Sequence, residues 1–165
     1  MTAPRLVLAL LTLAYLPPLA AETVHDPAMH AAHQSGGAAV VAADGRVVVK
    51  FPKAMREHTL TNMRDHLLAL QQIQSALAQQ AYDTAADIAE QRLGMSSLSL
   101  HGAHEVAKFM PAGMREAGSG MHRNASRFAV AAKDAAATGD VKPALEALSQ
   151  VTAQCVACHA GWRLK

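Results

Sequence analysis

The stretch from Val141 to Trp162 reads VKPALEALSQVTAQCVACHAGW. Val141, Ala144, Leu148, Val151, Cys155, Cys158 and Trp162 recur along it at intervals of three and four residues. That spacing is the 3.5-residue seam of a helix buried against other helices. Both cysteines fall on the apolar stripe, so the seam carries them toward an interior. Asp140, just before the stretch, is placed to cap the helix.

The end of the stretch is Cys155-Val156-Ala157-Cys158-His159. C-x-x-C-H is the attachment signature of a c-type haem. Positions i, i+3 and i+4 share one helix face, so Cys155, Cys158 and His159 point the same way. Each thiol can bond one vinyl group of the ring, and His159 can reach the iron as an axial ligand. A redox disulfide is a competing reading, but that motif expects a βαβ setting and an exposed helix N-terminus. A zinc site usually takes four ligands, and the chain has only these two cysteines. Two plain core cysteines are the third alternative. The expected cofactor is one haem c, covalent through Cys155 and Cys158.

Working outward, three earlier seams precede this one. Pro52 sits where a helix tolerates proline best, at its start. Leu60, Met63, Leu67, Leu70 and Leu77 follow it at seam spacing, and the helix is expected to run to about Gln80. Asp83 is a candidate cap for a second helix with Ala85, Ile88 and Ala89 inside and Gly94 as its stop. Residues 95–110 read either as an irregular crossing or as a further helical piece, ended by Pro111. A third helix is expected from near Met121, because Gly118 and Gly120 weaken the turns before it. It carries Ala125, Phe128, Ala132 and Ala135 inward and breaks at Gly139.

The N-terminal third is different in kind. Residues 1–21 resemble a secretory signal, with Arg5 ahead of an apolar run from Leu6 to Leu16 that is too short for a membrane span. Cleavage is expected before Glu22, or one residue earlier. Residues 22–51 form a linker, in which His25, Met29, His30 and His33 are a loose set of candidate copper or nickel ligands. Val40-Val41 and Val47-Val48-Val49 flank Asp44-Gly45, which predicts a small β-hairpin. The helical domain that carries the attachment motif is 52–165. Export and the attachment motif together point to a bacterial periplasm, with no membrane insertion after removal of the signal.

The 165 residues are 51% hydrophobic, 17% charged and 4% aromatic, a composition that can bury a core and that favours helices. Lys and Arg number 15 against 13 acidic residues. That balance gives no reason to expect nucleic acid or an anionic membrane as partner.

Four helices with C-x-x-C-H near the C-terminus resemble the class II cytochromes c, the cytochrome c-prime family. The ending Cys155-Val156-Ala157-Cys158-His159-Ala160-Gly161-Trp162-Arg163 is similar to that family's, with Trp162 where Phe or Tyr is usual. Tyr82-Asp83 is a second point of likeness. The resemblance implies an all-α antiparallel four-helix bundle with C-terminal haem attachment. It also implies His159 as proximal ligand, with Trp162 and Arg163 at the haem edge. A cation complementing a helix C-terminus is the other reading of Arg163.

In that family the first helix covers the far side of the iron. A methionine ligand there goes with low-spin electron transfer, and an open apolar site with binding of small gases such as nitric oxide or carbon monoxide. The family's Arg spacing, starting from Arg56, picks Leu60, whereas the distance to Tyr82 favours Met63. Met63 is the expected distal ligand. His58 and His66 are rivals, and Met114, Met121, His101, His104 and His122 are more distant ones. His101 and His104 read as surface or polar-network histidines. The expected function is electron transfer with a periplasmic redox partner protein, not enzymatic catalysis. The alternatives are a gas-binding cytochrome c-prime and a non-haem metal-handling protein. Dimers through the first two helices occur in the family, but no stripe in this sequence decides for one.

Overall fold

The computed structural model describes residues 41–165. The segment expected to be a signal and the histidines at 25, 30 and 33 lie outside the described residues. Of these residues 74% are helical, in five helices, with one short pair of parallel strands. The order is β1 (Val47–Val49), α1 (Lys53–Ala78), α2 (Tyr82–Arg92), a 3-10 turn (Met95–Ser97), α3 (Ala103–Ala107), α4 (Ala112–Thr138), α5 (Lys142–Gly161) and β2 (Trp162–Leu164).

The breaks follow from local chemistry. Pro52 and Pro111 occupy the N-cap positions of α1 and α4 in extended backbone. There a missing N–H costs no helix hydrogen bond. Gly139 closes α4 in the left-handed conformation (φ 77°), where glycine has no Cβ to clash. Asp140 accepts a hydrogen bond from the Lys142 amide at 3.0 Å and so satisfies one free donor at the start of α5. Asp83 does not cap α2: Ala81 holds the cap and Asp83 lies inside the first turn, where its charge opposes the helix dipole favourably.

Four long helices pack in sequence order: α1 on α2, α2 on α4, and α4 on α5. The main core is rich in alanine, with Ala69, Ala85, Ala86, Ala89, Ala125 and Ala132 all buried. Small side chains let helix axes approach closely. Phe128, Ile73, Leu93 and Val151 are the largest fully buried groups, each worth about 1.5–3 kcal/mol of burial. α4 begins at Ala112 rather than near Met121. Packing overrides the weak propensity of its glycines: a Cβ on Gly120 would sit 2.8 Å from the Gln154 side chain of α5.

The predicted hairpin survives as one antiparallel bridge, Val41 with Val47, around a turn in which Gly45 has φ 82°. The main partner of β1 is elsewhere. Val47, Val48 and Val49 pair in parallel with Trp162, Arg163 and Leu164, and the Lys165 amide donates to the Val49 carbonyl at 3.0 Å. Trp162 therefore leaves the helical seam that was expected to contain it. α5 stops at Gly161, and Trp162 is extended (φ −135°, ψ 154°). A second, smaller core forms here from Val49, Phe51, Val106 and Met114, with Trp162 and Leu164 against it.

Among the described residues no helix is long and apolar enough to cross a membrane.

Candidate functional site

A cavity of about 380 Å³ opens between the middle of α1 and the facing parts of α4 and α5. That is within the usual size range of small-molecule sites. Leu60, Met63, Leu67 and Leu70 line it from α1, Ala117, Gly118 and Met121 from α4, and Cys155, Cys158 and His159 from α5. Its few polar groups include Arg64, His66 and Gln154.

The helix spacing explains this convergence. Cys155 is one turn beyond Val151, which is buried, and Cys158 and His159 follow on the same face. His159 is exposed, while both cysteines are half-buried and free. Burial pushes both thiols above their ordinary pKa, and for Cys158 the neighbouring Cys155 adds to the effect. They are thiols rather than thiolates at neutral pH. Across the cavity, both Leu60 and Met63 reach the lining, so both residues between which the sequence pattern was divided face the same space. Gly118 has nothing within 4 Å of where a Cβ would be.

Trp162 and Arg163 do not line the cavity. Trp162 packs in the second core, with its ring 3.1 Å from where a Gly113 Cβ would stand. Arg163 is exposed on β2, its Nη1 3.9 Å from the Asp44 carboxylate. The cation on the cavity wall is Arg64.

The histidines sort differently from their sequence order. His104 is exposed, as is expected of a surface residue. His101 is only 5% exposed, because the 93–103 crossing dips between α1 and α4. His58 Nε2 donates to the His101 carbonyl at 2.9 Å, and Asn62 Nδ2 donates to the same oxygen at 2.9 Å. Gly102, at φ 56°, makes the turn possible, since a Cβ there would come within 3.1 Å of His58 Nε2. His122 is buried on α4 with Nδ1 2.7 Å from the Leu93 carbonyl. Burial above all, with the nearby His101 and His122, lowers the pKa of His66 to about 4. The nearest ion pair is Arg92 with Asp65, with Gln72 on the same guanidinium. His66, which flanks the α1 seam, and His122, next to Met121, were both candidate ligands in the sequence, whereas the descent of His101 into the core left no mark there.

No group of three or more His, Cys, Asp or Glu residues able to hold a metal ion occurs among the described residues. A c-type haem asks instead for two thiols and one imidazole on one face of an apolar cavity, and this donor set matches that request. Comparison of the chain with family models, with curated proteins and with solved structures returns no match.

Proposed function

We propose that this protein is an exported c-type cytochrome of one haem, held in a four-helix bundle, that transfers electrons to a periplasmic partner protein. The observation that carries the reading is the meeting of Cys155, Cys158 and His159 with Met63 and Leu60 on one apolar cavity. Bound haem supplies reversible one-electron exchange at iron.

The chain's own residues have distinct tasks. Cys155 and Cys158 would hold the ring through thioether bonds to its two vinyl groups. His159 of α5 and Met63 of α1, both on the cavity lining, would be the residues that ligate its iron. Leu60, Leu70 and Met121 would keep water from it, which lowers the local dielectric and so tunes the potential. Arg64 on the cavity wall would be the cation for the ring carboxylates, whereas the resemblance placed Arg163 at the haem edge.

Leu60 beside Met63 supports a second reading, a five-coordinate site open to nitric oxide or carbon monoxide. An absorption spectrum separates the two. A low-spin spectrum with a methionine-to-iron charge-transfer band, turned high-spin by Met63→Ala with covalent haem retained, is the expected result. A wild-type spectrum already high-spin and shifted by nitric oxide favours gas binding. Covalent haem surviving acid–acetone extraction in the Cys155→Ala/Cys158→Ala variant would sink the attachment scheme.

A further inference from the structure

The helices that carry the proposed axial ligands are not close neighbours. α1 packs on α2, and α5 packs on α4. The cavity lies between them, with Met63 on one wall and His159 on the other. Direct packing of α1 on α5 therefore does not set the width of the gap.

A different tie joins the two helices at this end of the bundle. β1 ends at Val49, just before α1 starts at Lys53, and β2 begins at Trp162, just after the turn that holds His159. The strands pair in parallel, Val47 with Trp162 and Val49 with Leu164, so the entry to α1 is stitched to the exit from α5. Two strands this short have little stability of their own. The packing beneath them supplies it. Val49, Phe51, Val106 and Met114 form the second core, and both Met55 of α1 and Cys158 of α5 pack against it. Trp162 closes that core toward α4. A Cβ on Gly113, in the first turn of α4, would stand 3.1 Å from ring carbons Cζ2 and Cη2, so the glycine makes room for the indole.

Other holds on α1 do not reach α5. His58 Nε2 and Asn62 Nδ2 each donate to the His101 carbonyl at 2.9 Å, which ties α1 to the 93–103 crossing. Neither residue lines the cavity. The next firm anchor is Ala69, fully buried in the main core. At 1.5 Å per residue Ala69 is about 9 Å along the helix from Met63, so a tilt of about 5° there moves Met63 by about 0.8 Å. A set of ligands has to be held to within about 0.5 Å. A small loosening of the tie is enough to part Met63 from an iron that stays bonded at His159.

We propose that the β1–β2 pair and the second core form a clasp that sets the gap between α1 and α5, with Trp162 as a positioning residue for ligation by Met63. The inference rests on the haem reading above, in its low-spin form. Trp162 does not line the cavity, and it acts through the two helices that the clasp joins.

The experiment compares absorption spectra of the haem-loaded full chain. Wild type should show the methionine-to-iron band. Trp162→Ala should lose most of that band and turn high-spin, with its covalent haem retained. Val49→Ala, on the other strand, should lose part of it. Trp162→Phe puts a ring back against Gly113 and should keep the band. Phe128→Ala is the control for stability alone: it weakens the main core, where Phe128 is fully buried, and should leave the band intact. Spin labels at Leu68→Cys on α1 and Val156→Cys on α5, both exposed positions, read the gap itself. Their distance should lengthen or broaden in Trp162→Ala. A low-spin wild type whose band survives both Trp162→Ala and Val49→Ala overturns this inference alone, and leaves the bonds to the His101 carbonyl as what holds α1. An unchanged label distance also overturns it. So does an equal loss of the band in Phe128→Ala, since the loss would then follow stability. If Trp162→Ala does not fold, Val49→Ala decides by the same two readouts. A wild type already high-spin overturns ligation by Met63 and this inference with it, and a protein with no Soret band overturns the haem reading on which both depend.

Discussion

Along α1, one apolar stripe runs from Leu60 through Leu70 to Leu77, yet its two halves meet different surroundings. In the second half Ile73 is fully buried against the alanine-rich core. In the first half Leu67 is 69% exposed on the wall of the cavity. α5 repeats the contrast: Ala144, Leu148 and Val151 are buried, and Cys155, Cys158 and His159 stand open to the cavity. The two ends share a hydrophobic period but not a packing partner. A seam says which residues face inward. It does not say whether protein or a bound group fills the space they face.

Substitutions at the two ends should therefore behave differently. Phe128→Ala at the closed end removes a fully buried ring and should cost about 3–5 kcal/mol in denaturant unfolding. Leu67→Ala at the open end should cost under about 0.5 kcal/mol in the Cys155→Ala/Cys158→Ala background, like other surface changes. In the protein carrying the proposed covalent haem it should cost about 1–2 kcal/mol, because the leucine would then have something to pack on. Equal costs for Phe128→Ala and Leu67→Ala in the double-cysteine background would mean that the open end is packed by protein, and the contrast would fail.

The helix boundaries were legible in sequence at both ends. Pro52 and Pro111 at the open end and Gly139 at the closed end mark them by backbone chemistry alone, and the stripes of α1 and α5 follow from spacing. The inward placement of Cys155 and Cys158 was legible for the same reason. What was hidden depends on partners distant in the chain. Asp44-Gly45 looks like a hairpin turn, and nothing local says that Val47–Val49 pairs with Trp162–Leu164. That pairing pulls Trp162 out of the α5 seam and Arg163 toward Asp44. The burial of His101 likewise depends on a crossing whose sequence has neither a clear period nor a strong turn signal beyond Gly94 and Gly102.

The boundary between the two ends is where pH should act. His66 stays neutral in the folded protein down to about pH 4, while an unfolded histidine titrates near 6.5. Below 6.5 the unfolded chain binds more protons than the folded one. The contribution of His66 is thus fully present above pH 6.5, declines as pH falls from there toward 4, and is absent below it. Its full size is about 3 kcal/mol as an order of magnitude. Denaturant midpoints between pH 7.5 and 4 should fall accordingly, and His66→Gln should flatten the decline. A decline unchanged in the variant would assign the acid sensitivity to His101 and His122 instead.

The smallest expected effect lies at the far tip of the closed end. α1 ends in a pair of bonds, Gln80 N to the Leu77 carbonyl at 3.0 Å and Ala81 N to the Ala76 carbonyl at 2.9 Å. That pattern is a Schellman cap, whose turning residue is usually glycine. Here it is Gln80, at φ 58°, where a Cβ crowds the backbone. Gln80→Gly relieves the crowding but frees the unfolded chain, so the net gain should be about 0.5–1 kcal/mol. Hydrogen exchange can tell how far this gain travels. If the two ends open separately, amides around Ile73 and Leu77 should gain protection while those around Leu60 and Met63 do not. An equal gain along the whole of α1 would show that the ends unfold as one unit, so that the cavity weakens the helix as a whole and not only its first half.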